Sequence, residues 1–358
     1  MRKVRTAILA LSLACTVLAG CSASKTEQTT AAPQTEAATK ATEAETTVEE
    51  TTEAPAEVSG AEVRVGSLSG PTSFGLVRLM EQAEAGETAN AYTFAELSTD
   101  PSTFVAPIIQ GDMDIAAVPS NLASVIYNKS EGKVEVIAEC VEGVLNILEK
   151  GESIKSIKDL AGKHIYATGQ GATPEYTLRH LLAENGIDPD KDLELQFCTD
   201  TTEALSFVSE DEEAIAMLPQ PFATAACAQV EGLHIALDLN DAWAELDNGC
   251  NIVTGVVIAR KAWAEENPEA VETFLKEYAD SYKYLSDETD AACDLIEKYG
   301  IVKKAAIAKK ALPGCHVVMV TGQEMKDAVS GYLQIIADEN PQAVGGKVPG
   351  EDFYYGVE

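Results

Sequence analysis

Four short stretches hold the residues best suited to chemistry in this chain of 358 residues. They are Ser69-Gly70-Pro71-Thr72-Ser73, Pro119-Ser120-Asn121, Thr168-Gly169-Gln170-Gly171-Ala172-Thr173 and Pro219-Gln220-Pro221. Each follows an apolar run with strand character and opens a helical pattern. Hydroxyls and side-chain amides at these positions make neutral hydrogen bonds. The first turn of a helix adds unpaired N–H groups and a partial positive charge, which together hold an oxyanion or a carbonyl. Gly70, Gly169 and Gly171 let the backbone come close to a ligand. The chemistry this predicts is reversible binding of a small molecule by residues 69–73, 120–121, 168, 170–173 and 219–220. The same residues would also serve as caps and turns, so the expectation rests on the four loops acting together.

What the loops lack narrows the ligand. They hold no Arg, Lys, His, Asp, Glu or Cys before Glu175. A free amino acid wants a cation for its carboxylate and an acid for its ammonium, so that class is disfavoured. Arg64 sits on a strand pattern, and Arg78 and Arg179 lie beyond first helical turns; all three are expected at the surface or in ion pairs. Neutral heterocycles, or small oxyanions held by backbone N–H groups alone, remain. Phe74, Tyr166, Phe222 and Trp243 offer rings for stacking, although a place in the core or rim suits each of them better.

Catalytic patterns fail on inspection. Gly66-Ser67-Leu68-Ser69-Gly70 places Leu68 where a nucleophile elbow needs Ser. Gly169 to Pro174 lacks the third glycine of a dinucleotide loop. Gly345-Gly346-Lys347 is followed by Val348, not by the hydroxyl of a phosphate-binding loop. His164, His180, His234 and His316 are scattered and no HExxH occurs, so no metal and no cofactor is expected. Cys140, Cys198, Cys227, Cys250, Cys293 and Cys315 are widely spaced; most read as buried small hydrophobes, with room for one or two bridges. The chain is therefore expected not to be an enzyme.

The elements that must position these loops alternate. Strand patterns at 62–68, 91–97 and 113–118 are separated by helical ones, and the alternation restarts at 134–140 and runs to a strand at 252–258. Such spacing predicts an α/β fold of mostly parallel sheets flanked by helices. From 268 to 338 the pattern reads as almost wholly helical.

Ahead of this lies a different composition. Met1 to Arg5 is cationic, Thr6 to Val17 is apolar but too short to span a bilayer, and Leu18-Ala19-Gly20-Cys21 follows. This resembles the lipobox of bacterial lipoproteins, which implies a signal peptide over 1–20 and lipidation of Cys21. Residues 22–60 are rich in Thr, Ala and Glu with almost no large apolar side chains, as expected of a disordered tether. Against 26 Lys+Arg stand 58 Asp+Glu, a net charge of −32. That charge disfavours nucleic acid and leaves the lipid as the only membrane attachment.

Five stretches, in order, resemble the substrate-binding proteins of ABC transporters, in the nitrate/sulfonate/taurine and thiamine-precursor group. They are "VRVGSLSGPTSFGL" (63–76), "IIQGDMDIAAVP" (108–119), "SIKDLAGKHIYATGQGATPEYTLRHLLAENGIDPDKDLEL" (156–195), "EEAIAMLPQPFATAA" (212–226) and "TGVVIARKAWAEENPEAVETFLKEY" (254–278). The resemblance implies the type II periplasmic-binding fold, with lobe 1 over 61–146 plus 254–358, lobe 2 over 147–253, and two crossover hinge strands. It also implies an extracytoplasmic, monomeric protein that takes a small-molecule ligand in the interlobe cleft and hands it to an ABC permease and ATPase. The absence of a cation in the loops departs from sites that clamp sulfonate or nitrate with side chains. Two other readings stay open: a surface interaction or sensor ectodomain on the same fold, and a cleft enzyme of the menaquinone-pathway or pyrimidine-synthase type.

Overall fold

The computed structural model describes residues 60–211 and 213–357. The expected signal peptide, Cys21 and nearly all of the tether lie outside the described residues.

Two sheets organise the chain. The first has six strands in the order β2-β1-β3-β10-β4-β11, and the second has five in the order β7-β6-β8-β5-β9. The strands are β1 (Glu62–Ser67), β2 (Ala91–Phe94), β3 (Ile115–Pro119), β4 (Val134–Val141), β5 (Leu145–Glu149), β6 (His164–Ala167), β7 (Glu194–Phe197), β8 (Ile215–Pro219), β9 (His234–Asp238), β10 (Gly255–Arg260) and β11 (Val317–Val320). All eight residues of β4 and all five of β5 are buried. Their apolar runs sit centrally because both faces of each sheet are covered.

The covering helices follow the strands. They are α1 (Pro71–Phe74), α2 (Val77–Ala85), α3 (Val105–Gln110), α4 (Ser120–Lys129), α5 (Thr173–Glu184), α6 (Thr201–Glu210) and α7 (Phe222–Gln229). After these come α8 (Leu239–Ala244), α9 (Lys261–Glu266), α10 (Pro268–Asp287), α11 (Thr289–Lys298), α12 (Ala305–Ala311) and α13 (Gly322–Glu339). The chain is thus α/β and two-lobed, each lobe built on one sheet.

Two expectations need correcting. The sheets are mixed, not mostly parallel: β1 pairs in parallel with β2 and β3, and β6 with β7 and β8, while β3-β10, β10-β4, β4-β11, β8-β5 and β5-β9 are antiparallel. The cause is the crossovers. β5 enters the second sheet from the first lobe, and β10 enters the first sheet from the second lobe. Each arrives at the end where the parallel strands of its new sheet finish, so it must run against them. The stretch 268–338 is also not wholly helical. It is broken by a 3-10 turn (Leu312–Cys315) and by β11, which completes the edge of β4.

An apolar cluster joins the lobes. It includes Val136 and Val256 of the first sheet, Tyr332 of α13, Tyr176 of α5 and Ile147 of the second sheet. The Thr177 hydroxyl lies 2.6 Å from that of Tyr332, a polar contact inside this apolar seam. The six cysteines among the described residues are free.

Candidate functional site

The pairing register shows which sheet edges carry the four loops. In the first sheet, Gly255 faces Pro119 on one side and Val141 on the other, and Val317 also faces Val141. The end of β3, the end of β4 and the starts of β10 and β11 therefore share one edge, and β1, parallel to β3, ends there too. In the second sheet, Leu145 faces Pro219 and Asn146 faces Asp238. The ends of β6, β8 and β9 and the start of β5 share one edge there. Only Glu142, Gly143 and Val144 separate β4 from β5. This short crossover holds the two loop-bearing edges against each other, where ligands sit in open α/β sheets.

On the first edge, β1 leads into Ser69, whose N–H donates to the Ser98 carbonyl at 2.7 Å. Gly70 has φ 155° and ψ −159°, a conformation open to glycine alone, and Pro71 opens α1. The hydroxyls beyond it turn inward. Thr72 donates to the Leu68 carbonyl at 3.2 Å, and buried Ser73 lies 2.8 Å from the Ser67 hydroxyl. The Thr72 methyl packs over Gly255, where a β-carbon would lie 2.8 Å from it. This contact brings the first loop to Pro119. There Ser120 is fully buried and donates to the Val253 carbonyl, while Asn121 reaches away to the Ala343 carbonyl at 3.3 Å.

On the second edge, Thr168 and Thr173 are buried, whereas Gln170 and Gly171 are exposed. The Gly171 N–H is taken by Glu175 Oε2 at 2.7 Å, and Ala172 precedes the first turn of α5. Pro219 ends β8, and Gln220 is buried. Its Oε1 accepts from the Thr224 hydroxyl at 2.8 Å and its N–H donates to the Val144 carbonyl at 2.8 Å. Its amide nitrogen faces Gly314 of the first lobe, 3.3 Å from where a β-carbon would stand.

Loops 69–73 and 119–121 thus meet on one edge, and 168–173 and 219–220 on the other. Thr72, Ser73, Ser120, Asn121 and Thr173 serve the fold through the hydrogen bonds they make. Ser69, Gly70, Gln170 and Gly171 stay open to the surface. A cavity of 390 Å³ shares Ser69 with this edge, but the rest of its lining, Met80, Leu97, Tyr299 and Gly300 among others, lies in the first lobe alone. Of the four rings weighed for stacking, Phe74 and Trp243 are buried in the core, while Tyr166, stacked on Phe207 at 4.3 Å, and Phe222 are half-buried. The three arginines are paired as expected, Arg64 with Asp114, Arg78 with Glu81, and Arg179 with Glu175 and Asp190.

Sequence reasoning missed the crossover side of the site. Gly143 N–H donates to Asn240 Oδ1 at 3.1 Å, and Glu142 N–H to the His316 carbonyl at 3.0 Å. Asn251 Nδ2 donates to Glu142 Oε1 at 3.2 Å, and His316 Nε2 lies 3.2 Å from Asp238 Oδ2. Asp238-Leu239-Asn240 is an Asx cap on α8 that the sequence does display. Nothing in the sequence near His316 signals these contacts. Beneath this network Glu139 is 2% exposed, and its Oε1 has no partner among the described residues. Burial first, then Glu142 and Glu324, push its carboxyl up to about 8.

Comparison with known proteins agrees with this architecture. A family model described as NMT1/THI5 like matches residues 93–292. An ABC transporter from Parabacteroides distasonis superposes with a TM-score of 0.68 at 23% identity, over 82% of this chain and 98% of that one. The periplasmic aliphatic sulphonate binding protein SsuA from Escherichia coli gives 0.65 at 16% identity, over 81% and 97%. The alkanesulfonate-binding SsuA from Xanthomonas axonopodis pv. citri, bound to MOPS, gives 0.57 at 12% identity, over 81% and 94%. At these identities the likeness establishes the fold. No curated protein matches the chain by sequence.

Proposed function

Because the chain belongs to the NMT1/THI5-like family, we propose that it is the solute-binding component of an ABC importer, held outside the cell membrane by lipid on Cys21. The observation that carries this reading is the apposition of two loop-bearing sheet edges across a three-residue crossover. The similar structures from Parabacteroides and Escherichia, an ABC transporter protein and a sulphonate binder, support it. So do the helix starts of α4 and α7, one on each edge, whose first turns offer N–H donors without a fixed charge. A binder is favoured over an enzyme because the open groups of the loops, Ser69 and Gln170, hold a ligand but move no proton, while Glu142, Asp238 and His316 at the crossover are engaged in contacts within the chain.

The ligand follows from the charges. Glu142, Asp238 and Asp241 outnumber His316 around the crossover, and the four loops carry no cation. We assign a small neutral ring bearing hydrogen-bond donors in preference to a sulfonate. Permease and ATPase partners belong to the same proposal.

Thermal unfolding against a panel of pyrimidines, thiamine precursors, sulfonates and nitrate tests it. A ligand at about 100 times its Kd adds about 2.7 kcal/mol, a shift of a few degrees. A pyrimidine-type hit with no sulfonate hit is expected. Ser69→Ala and Gln170→Ala, one on each edge, should then each weaken binding by about 1–2 kcal/mol. Loss confined to one edge would overturn the interlobe site.

A further inference from the structure

The turn Gly314-Cys315-His316 lies in the first lobe, with Cys315 in its core, yet Gly314 and His316 face the second. Gly314 faces the Gln220 amide, and His316 faces Asp238 at the end of β9. His316 stands in the left-handed region at φ 41° and ψ 49°, unusual for a residue with a side chain. Its carbonyl accepts from Glu142 N–H, so the same residue grips the crossover with its backbone and the far lobe with its ring. Asp238 is fixed in turn, its Oδ1 accepting from Asn240 N–H at 2.8 Å, and Asn240 holds Gly143. The result is a closed ring of contacts: His316, Asp238, Asn240, Gly143, Glu142 and back to His316.

We propose that this ring is a pH-sensitive latch between the lobes, closed when His316 is protonated and loosened when it is neutral.

The charges around the imidazole all favour the cation. Asp238 comes from β9, Asp241 from α8 and Glu142 from the crossover, and the Asp238 contact leads in raising the His316 pKa. Both His316 and Asp238 are about four-fifths buried at the side chain, so solvent screens the pair only in part. The sign follows. A histidine whose pKa is raised in the latched form favours that form at low pH. The preference is lost as pH rises through the raised value. The latch needs no particular ligand, so its test stands apart from the solute-binding proposal.

The test is made on the full chain without ligand. Histidine-labelled NMR follows the His316 ring, assigned by its loss in His316→Asn. Amide exchange at Glu142 and Gly143 is read at pH about 5.5 and about 8.5, normalised to the exchange rate of unstructured chain. His316 should titrate above the ordinary value of about 6.5. Protection of the two amides should fall with rising pH, about tenfold for each unit by which the latched pKa exceeds the free one. His316→Asn, a residue that tolerates the left-handed region, should remove the His316 part of this pH response and leave only the slope that Glu139 adds. Asp238→Asn, which keeps the acceptor for Asn240, should return His316 to an ordinary titration. An ordinary titration in the parent chain would overturn the latch, and so would an equal pH response in His316→Asn.

Discussion

Glu139 shows how much a single buried side chain dictates. Its carboxyl is held protonated to about pH 8 by burial, whereas in the unfolded chain it ionises near 4.3. Between these values the folded state binds the extra proton, so stability falls as pH rises, by about 1.4 kcal/mol per pH unit. Glu139→Gln should flatten that slope in urea unfolding measured from pH 5 to 8; an unchanged slope would mean that the carboxyl is not the source. Gly255 makes a complementary case. Gly255→Ala sets a β-carbon 2.8 Å from the Thr72 methyl and 3.2 Å from Cys140 Sγ. A loss of about 1–3 kcal/mol is expected, read as a lower urea midpoint at unchanged m-value. Neither residue was legible beforehand. A glutamate in an apolar strand reads as an outward-facing position, but both faces of β4 are covered, and β10, which flanks it, lies more than a hundred residues away. The turns that hold Ser69 and Gln170 were legible, because turn chemistry after a strand is local.

At the scale of elements, legibility followed length and context. The strands and helices of the alternating region stand close to where the pattern put them, because each carries its own turn signals. β11 did not, since four residues, Val317-Val318-Met319-Val320, fit a helical or an extended period equally well. Only its antiparallel pairing with β4 makes it a strand. A clasp at the opposite end of the first sheet was half legible. Arg64 was expected in an ion pair, but its partner Asp114 on the approach to β3 also receives Arg260 from β10. Asp114 is 1% exposed and accepts from the Arg64 Nε at 2.8 Å, the Arg64 N–H at 3.1 Å and the Arg260 Nη2 at 3.2 Å. Asp114→Ala should cost about 2–4 kcal/mol, below the range for fully buried pairs because Arg64 reaches solvent. The measurement is chemical unfolding, and a loss under about 0.5 kcal/mol would show that the clasp adds little.

For the whole molecule, the pairing order has a consequence in time. β10 lies between β3 and β4 in the first sheet, yet it is made only after every strand of the second. Until residue 260 has reached the outer side of the membrane, where an exported chain folds, β3 and β4 have no neighbour on their facing edges. The second lobe meets no such delay, because β5 to β9 follow one another in the chain. It is therefore ready first, although it is encoded later. A chain stopped after Leu246 should show protease protection over 145–240 and none over 61–141. Nascent β1 to β4 are thus an unfinished surface that must be kept from pairing with other chains, and the last segment synthesised, with β11, closes it.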